Sequence, residues 1–252
     1  MSFTVSADAY DRFMGRYSTR LAPSFAAFAG VRAGQKALDV GCGPGALTGE
    51  LVGHLGPANV SAADPSEPFV AAARERFPDV DVRLAAAEKL PFPERSFDAA
   101  LAQLVVHFMS DPVGGIREMA RVVRPEGVVA ACVWDFGGRR DPLSVFWKAA
   151  HEIDPGVKDE SRRAGAREGD LRELLGRAGL HRVEETAIAA SVTHPSFDEW
   201  WEPFTLGVGP AGSYLVGLDL ERRNELRERC RTLLPAAPFE VAAWAWAARG
   251  FV

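Results

Sequence analysis

Residues 38–48 read LDVGCGPGALT, three glycines and a proline set between an apolar run and the start of a helix. Such a stretch suits one kind of chemistry. Glycine lets the backbone approach a ligand closely, and the first N–H groups of the following helix are unpaired donors. Gly41, Gly43 and Ala46 fit the dinucleotide form GxGxx(G/A), so a nicotinamide enzyme is one reading. Two features pull away from it. Asp39 stands inside the strand end, where a carboxylate can face a cationic group, and Gly45 follows Gly43 by two residues, giving GxGxG. A second candidate is His107 in LAQLVVHFMSDP. It falls just past the carboxyl end of a predicted strand, the edge at which open α/β sheets bind ligands. There its imidazole can act as a general base, or simply pack beside Phe108 and Met109.

Those groups work together only if regular elements bring them to one edge. KALDVG reads as a short buried strand, GALTGELVGHLG as a helix, NVSAAD as a strand and SEPFVAAARERF as a helix. VDVRLAAA is a predicted strand, SFDAALAQLVVHF a strand running into a loop, PVGGIREMARVVR a helix stopped by Pro125, and GVVAACVW the next strand. This alternation predicts βαβ units around a mostly parallel sheet with helices on both faces. Before it, apolar residues from Tyr10 to Phe28 recur at steps of three and four, predicting one or two amphipathic helices. After Trp134 the rhythm loosens: a helix is expected over 142–153, a polar, mobile stretch over 155–168, a helix at GDLRELLGRAGL and a strand at RVEETAIAA. Helical patterns fill 196–235, and FEVAAWAWAARG predicts a closing strand.

With these elements in place, the motif LDVGCGPG at 38–45 resembles the first motif of the class I S-adenosylmethionine-dependent methyltransferases, small-molecule type, without a departure. Further stretches, AEKLPFPERSFDAALAQ and EMARVVRPEGVVAA, extend the resemblance over roughly residues 36–134, in the order the fold requires. It implies S-adenosylmethionine as cofactor. Gly41, Cys42, Gly43 and Gly45 would then form the loop under its methionine part, with Asp39 near the amino group. Asp64 would take the ribose hydroxyls with Pro65 beside it, Ala87 would offer its backbone N–H to the adenine, and Gln103 would lie beneath the sulfonium. One departure is Ala86, where the family often has Asp or Asn; Glu88 is the acid available to compensate.

Outside these motifs, Tyr10, Tyr17 and their apolar neighbours can form a lid over the cofactor, with Arg16 free to meet its carboxylate. Tyr17, Trp134, Trp200 and Trp201 are expected to supply aromatic surface for an acceptor. Adjacent tryptophans on a helix point in different directions, so one of Trp200 and Trp201 is expected to line a cleft or a partner surface.

The totals narrow the function classes. A chain of 252 residues with 47% hydrophobic content can fill a core, and a net charge of −5 disfavours a nucleic-acid partner. Three scattered cysteines and five scattered histidines suggest no metal site and no disulfide framework, which fits a reducing cytoplasm. No signal peptide or membrane span is expected. The fold expected is α/β: a Rossmann-like, doubly wound, mostly parallel seven-stranded sheet, with an N-terminal helical lid and a helical insertion near the C-terminus. Its parts would be a lid over 1–34, a cofactor-binding core over 35–190, an insertion over 191–236 that forms part of the acceptor pocket, and a closing strand over 237–252. The function expected is methyl transfer to a small-molecule acceptor. A non-catalytic S-adenosylmethionine-binding protein and a nicotinamide oxidoreductase are the alternatives.

Overall fold

The computed structural model describes residues 6–252. Its N-terminal segment is one continuous helical rod: α1 (Ala7–Tyr10), a π-helical stretch over Asp11–Gly15, and α2 (Arg16–Ala29). Ser6 caps it by accepting from the Ala9 N–H, and Gly30 ends it in the left-handed conformation. The π-helical residues carry Phe13, and such bulges often sit beside functional sites.

The central sheet follows. It contains β1 (Ala37–Val40), β2 (Val60–Asp64), β3 (Asp81–Leu84), β4 (Phe97–Gln103), β5 (Val123–Trp134), β6 (His181–His194) and β7 (Phe239–Phe251), in the order β3-β2-β1-β4-β5-β7-β6. β1 pairs in parallel with β2 and β4, and β4 with β5, whereas β7 runs antiparallel between β5 and β6. Every residue of β1 is buried, as expected for a central strand covered on both faces. The connecting helices are α3 (Ala46–Leu55), α4 (Glu67–Arg76), α5 (Pro112–Val122), α6 (Ser144–Ile153) and α7 (Asp170–Arg177). The strand order reverses between β1 and β4, which opens a crevice at the carboxyl ends of the strands.

Between β6 and β7 lie α8 (Phe197–Trp201), a 3₁₀ segment over Glu202–Leu206, α9 (Gly209–Gly217) and α10 (Leu220–Leu233). Ser196 and Asp219 cap α8 and α10 through their side chains.

Several boundaries differ from the sequence reading. α5 ends at Val122 and Pro125 falls inside β5, because residue 123 is already paired with Phe97 of β4. β6 runs on to His194, so residues 191–194 belong to the sheet rather than to the helical insertion; β7 pairs with them through Phe239–Ala242. β3 stops at Leu84, leaving 85–87 as loop. The stretch 155–168 is not simply polar surface: Glu160 and Ala166 are buried. In β7 the alanines at 243, 245 and 247 are buried while Trp244 and Trp246 are half-exposed, with the Arg140 guanidinium over both indoles. Among the described residues no helix is long and apolar enough to cross a membrane, no cluster of ligands could hold a metal, and all three cysteines are free and buried.

Candidate functional site

At the reversal point the chain leaves β1 at Val40 and turns into α3 through the glycine loop. The Gly41 and Cys42 N–H groups both donate to the Ala63 carbonyl, at 2.7 and 3.0 Å, which pins the loop to the end of β2. Gly41 has φ +71°, and a Cβ there would lie 2.4 Å from the Val105 side chain. Gly43 has φ +54°, but nothing stands within 4 Å of where its Cβ would point. That open side belongs to a cleft of about 220 Å³.

Asp64 organises the cleft. Its Oδ2 accepts from the Gly43 N–H at 2.9 Å and its Oδ1 from the Ser66 N–H at 2.8 Å, joining the glycine loop to the start of α4. A carboxylate has about four acceptor positions, so both oxygens keep capacity for a ligand's hydroxyls. Burial pushes its carboxyl above the usual range, against the lowering effect of those two bonds. Asp39 sits behind the loop. The Thr48 hydroxyl donates to its Oδ2 at 2.7 Å, while Oδ1 has no partner. Burial raises its pKa to about 7; Thr48 opposes the shift and Asp64 adds to it. A buried carboxyl with an orphaned oxygen beside a cleft fits an incoming cation.

Gln103 closes the floor: its Nε2 donates to the Ser18 carbonyl at 3.0 Å, and its Oε1 has no protein partner. Glu88 accepts from the Ser110 N–H at 2.8 Å, which ties the loop after β3 to the segment after β4. Of the residues expected at the cofactor, Tyr10, Gly41, Gly43, Asp64, Pro65, Ala87, Glu88 and Gln103 line this cleft. Cys42, Gly45 and Asp39 lie behind it. Val105, Met109 and Ser110 also line it, and no sequence signal marks them beyond their place after a strand end.

Arg16 is elsewhere. Its guanidinium donates to Glu199 Oε1 at 2.5 Å and lies 3.4 Å from His194 Nδ1, so it is not available to a cofactor carboxylate as expected. It belongs to a clasp. The Tyr17 hydroxyl meets His194 Nε2 at 2.9 Å, and His194 Nδ1 meets Glu199 Oε2 at 2.8 Å, linking α2, the end of β6 and α8. Burial holds the Tyr17 phenol ionisation far up and the His194 pKa down. Tyr17 and Trp200 line a narrow crevice beside this clasp. Trp201 packs on Phe146 and Phe197. Both tryptophans are buried, because α6 and Phe204 pack on the short α8 from more than one side, and it is Trp200 that reaches a crevice.

A second cavity, of about 50 Å³, shares Tyr10, Leu104 and Phe108 with the cleft. Phe13 and Met14 of the π-helical stretch, Trp134 at the end of β5, and residues 208–211 of the insertion complete an apolar chamber. His107 lines it too, its ring centroid 3.9 Å from that of Phe108. Burial, helped by the Arg163 charge, pushes its pKa down to about 3. At that value the ring is neutral near pH 7, with one nitrogen to donate and one to accept a hydrogen bond. The sequence reading missed Glu160, a chamber residue from the 155–168 stretch that is 2% exposed.

Residues 38–131 match the family model for the methyltransferase domain. The ubiquinone/menaquinone biosynthesis C-methyltransferase UbiE of Chromobacterium violaceum is 36% identical over 125 residues, 47% of this chain and 50% of that protein. The 27-O-demethylrifamycin SV methyltransferase of Amycolatopsis mediterranei is 38% identical over 122 residues, 45% of this chain and 43% of that protein. The chain thus spans about half the length of these curated relatives. Among solved structures, the Haloferax volcanii protein in complex with the Trm112 methyltransferase activator superposes over 99% of both chains with TM-score 0.63 at 22% identity, a likeness of fold.

Proposed function

We propose that this chain, which carries a class I S-adenosylmethionine-dependent methyltransferase domain, transfers a methyl group from S-adenosylmethionine to a small-molecule acceptor. The observation that carries the acceptor class is the small apolar chamber, about 50 Å³, beside the cofactor cleft, sharing three wall residues with it. A protein substrate would need a long open groove, whereas this chamber is small, and the N-terminal rod and the insertion supply part of its wall. The curated relatives are named for ubiquinone/menaquinone biosynthesis and for a rifamycin, which agrees with a small acceptor.

S-adenosylmethionine supplies an electrophilic methyl on a sulfonium whose leaving group is a neutral thioether. The protein's part is to align and to exclude water. Asp64 holds the ribose hydroxyls, and the Gly41–Gly43 backbone gives the methionine part close approach. Asp39, behind the loop, favours a positively charged amino group. Gln103, whose Oε1 has no protein partner, would offer that oxygen to the positive centre, and the aromatic side chains of the chamber would keep water from the acceptor.

Calorimetric titration of S-adenosylhomocysteine and S-adenosylmethionine, with Asp64→Ala and NADH as controls, tests this reading. Micromolar binding of either, weakened roughly 100-fold in the variant, is expected if two bonds to a charged acceptor are lost. Preference for NADH would overturn it. A protein that binds both ligands but transfers no methyl to any acceptor in a broad panel would be a cofactor-binding module.

A further inference from the structure

Six buried side-chain nitrogen or oxygen atoms have no hydrogen-bond partner among the described residues. Two of them, on Asp39 and Gln103, belong to the cofactor side, and a third, Trp147 Nε1, faces Glu160 from the neighbouring crevice. Three others are Glu160 Oε2, His107 Nδ1 and Trp134 Nε1, on residues exposed by only 2%, 7% and 2%, and all three residues line the acceptor chamber. They arrive from separate parts of the chain: the segment between α6 and α7, the turn after β4 and the end of β5. The remaining wall is apolar apart from the Tyr10 hydroxyl, which is engaged by Ser18. Unpaired polar atoms are rare in protein interiors because desolvation without a partner is costly. Three around one small cavity imply a ligand that satisfies them.

Their chemistry restricts that ligand. An indole N–H only donates, so the ligand must bring a lone pair to Trp134. An ammonium has none. An ionised carboxyl only accepts and has room for several donors, so beside the Trp147 indole Glu160 can take a donor from the ligand, and a carboxylate or phosphate ligand would meet it as a like charge inside an apolar wall. A hydroxyl both donates and accepts, and the neutral His107 ring can do either. Phe13, Phe108, Phe136 and Trp134 favour a flat, apolar body behind that hydroxyl.

Building on the methyltransferase reading, we propose that Glu160, Trp134 and His107 form the recognition site for the hydroxyl of an aromatic acceptor, with Glu160 as its proton acceptor. In the transfer, the hydroxyl proton passes to the Glu160 carboxylate. The freed oxygen pair forms the new O–C bond, and the C–S bonding electrons leave on sulfur. One negative carboxylate and one positive sulfonium become a neutral acid and a neutral thioether. Burial lifts Glu160 to about 7, and Asp141 adds to the shift; a backbone N–H, the Arg163 charge and the Trp147 indole pull the other way. This brings its basicity closer to that of a phenol, near 10, while leaving it far from an aliphatic alcohol.

Phenol and toluene have the same shape, and hydrophobicity alone favours toluene. Both are titrated calorimetrically into protein saturated with S-adenosylhomocysteine, with benzylammonium as the third probe. Phenol is expected to bind about tenfold tighter than toluene and tighter than benzylammonium, as for one hydrogen bond to a charged group. Glu160→Gln should erase most of that preference, and Trp134→Phe, which keeps a ring and loses only the N–H, should reduce it by about threefold, with S-adenosylhomocysteine affinity unchanged in both. Toluene matching phenol, benzylammonium exceeding it, or the preference surviving Glu160→Gln overturns the assignment. Failure of S-adenosylhomocysteine to bind the wild-type protein would instead strike the methyltransferase reading beneath it.

Discussion

The cofactor cleft and the acceptor chamber share a wall at Tyr10, Leu104 and Phe108, yet they are assembled in opposite ways. In the cleft, the strand ends and the loops that leave them do most of the work. Backbone N–H groups, one carboxylate and a glycine without a Cβ define it, and apart from Tyr10 its lining comes from residues 41–110. In the chamber, side chains converge from the N-terminal rod, the turn after β4, the end of β5, the 155–168 stretch and the insertion. The first kind of site depends on local spacing along consecutive βαβ units. The second depends on long-range packing, and the clasp of Tyr17, His194, Glu199 and Arg16 holds together two of the elements that supply part of its wall.

Changes confined to one region should therefore leave the other measurable. The largest effect is expected for Gly43→Val. A β-branched residue is strained at φ +54°, and its side chain would fill the open side of the cleft; S-adenosylhomocysteine binding should fall by roughly 100-fold or more. Circular dichroism and Tm show whether the fold persists, and retention of near-normal affinity would break the assignment of this loop to the cofactor.

His194→Ala addresses the other region. It leaves the buried Tyr17 hydroxyl without its partner and should cost about 1–3 kcal/mol of stability, read as a fall in Tm. Cofactor affinity should stay within about twofold. A variant with unchanged Tm but weakened cofactor binding would show that the clasp serves the cleft and would erase the distinction.

The smallest effect concerns Asp39. Its carboxyl, raised to about 7, is largely protonated below that pH, and a bound ammonium favours the charged form. Binding then releases a proton, so S-adenosylhomocysteine affinity should fall by up to about tenfold per unit as pH drops below 7 and level off above it. Asp39→Asn should flatten the profile. A flat wild-type profile would remove Asp39 from the amino-group site.

Much of this division tracks what could be read along the chain. The glycine loop, Asp64 and the alternation that places them at the carboxyl edge are legible because each rests on neighbours within one βαβ unit. Arg16 was legible as a cation on the lid but not as the partner of Glu199, a residue 183 positions away that reaches it only because β6 ends beneath α2. The helix expected up to residue 124 ended early because strand pairing with Phe97 outweighed a helical pattern that Pro125 alone seemed to terminate. Glu160 carried no signal: an acid in a polar stretch reads as solvent-facing until the end of β5 and α6 close over it.

By itself, the sequence determined the order of elements, the doubly wound sheet and the backbone geometry of the cofactor loop, because periodicity and glycine spacing act over a few residues. The tertiary structure alone decided which side chains line the chamber, that His107, Trp200 and Trp201 are buried, and that Glu160, Trp134 and His107 meet at one cavity. Burial and long-range convergence set those outcomes, and neither exists until the helical rod and the insertion have packed against the sheet.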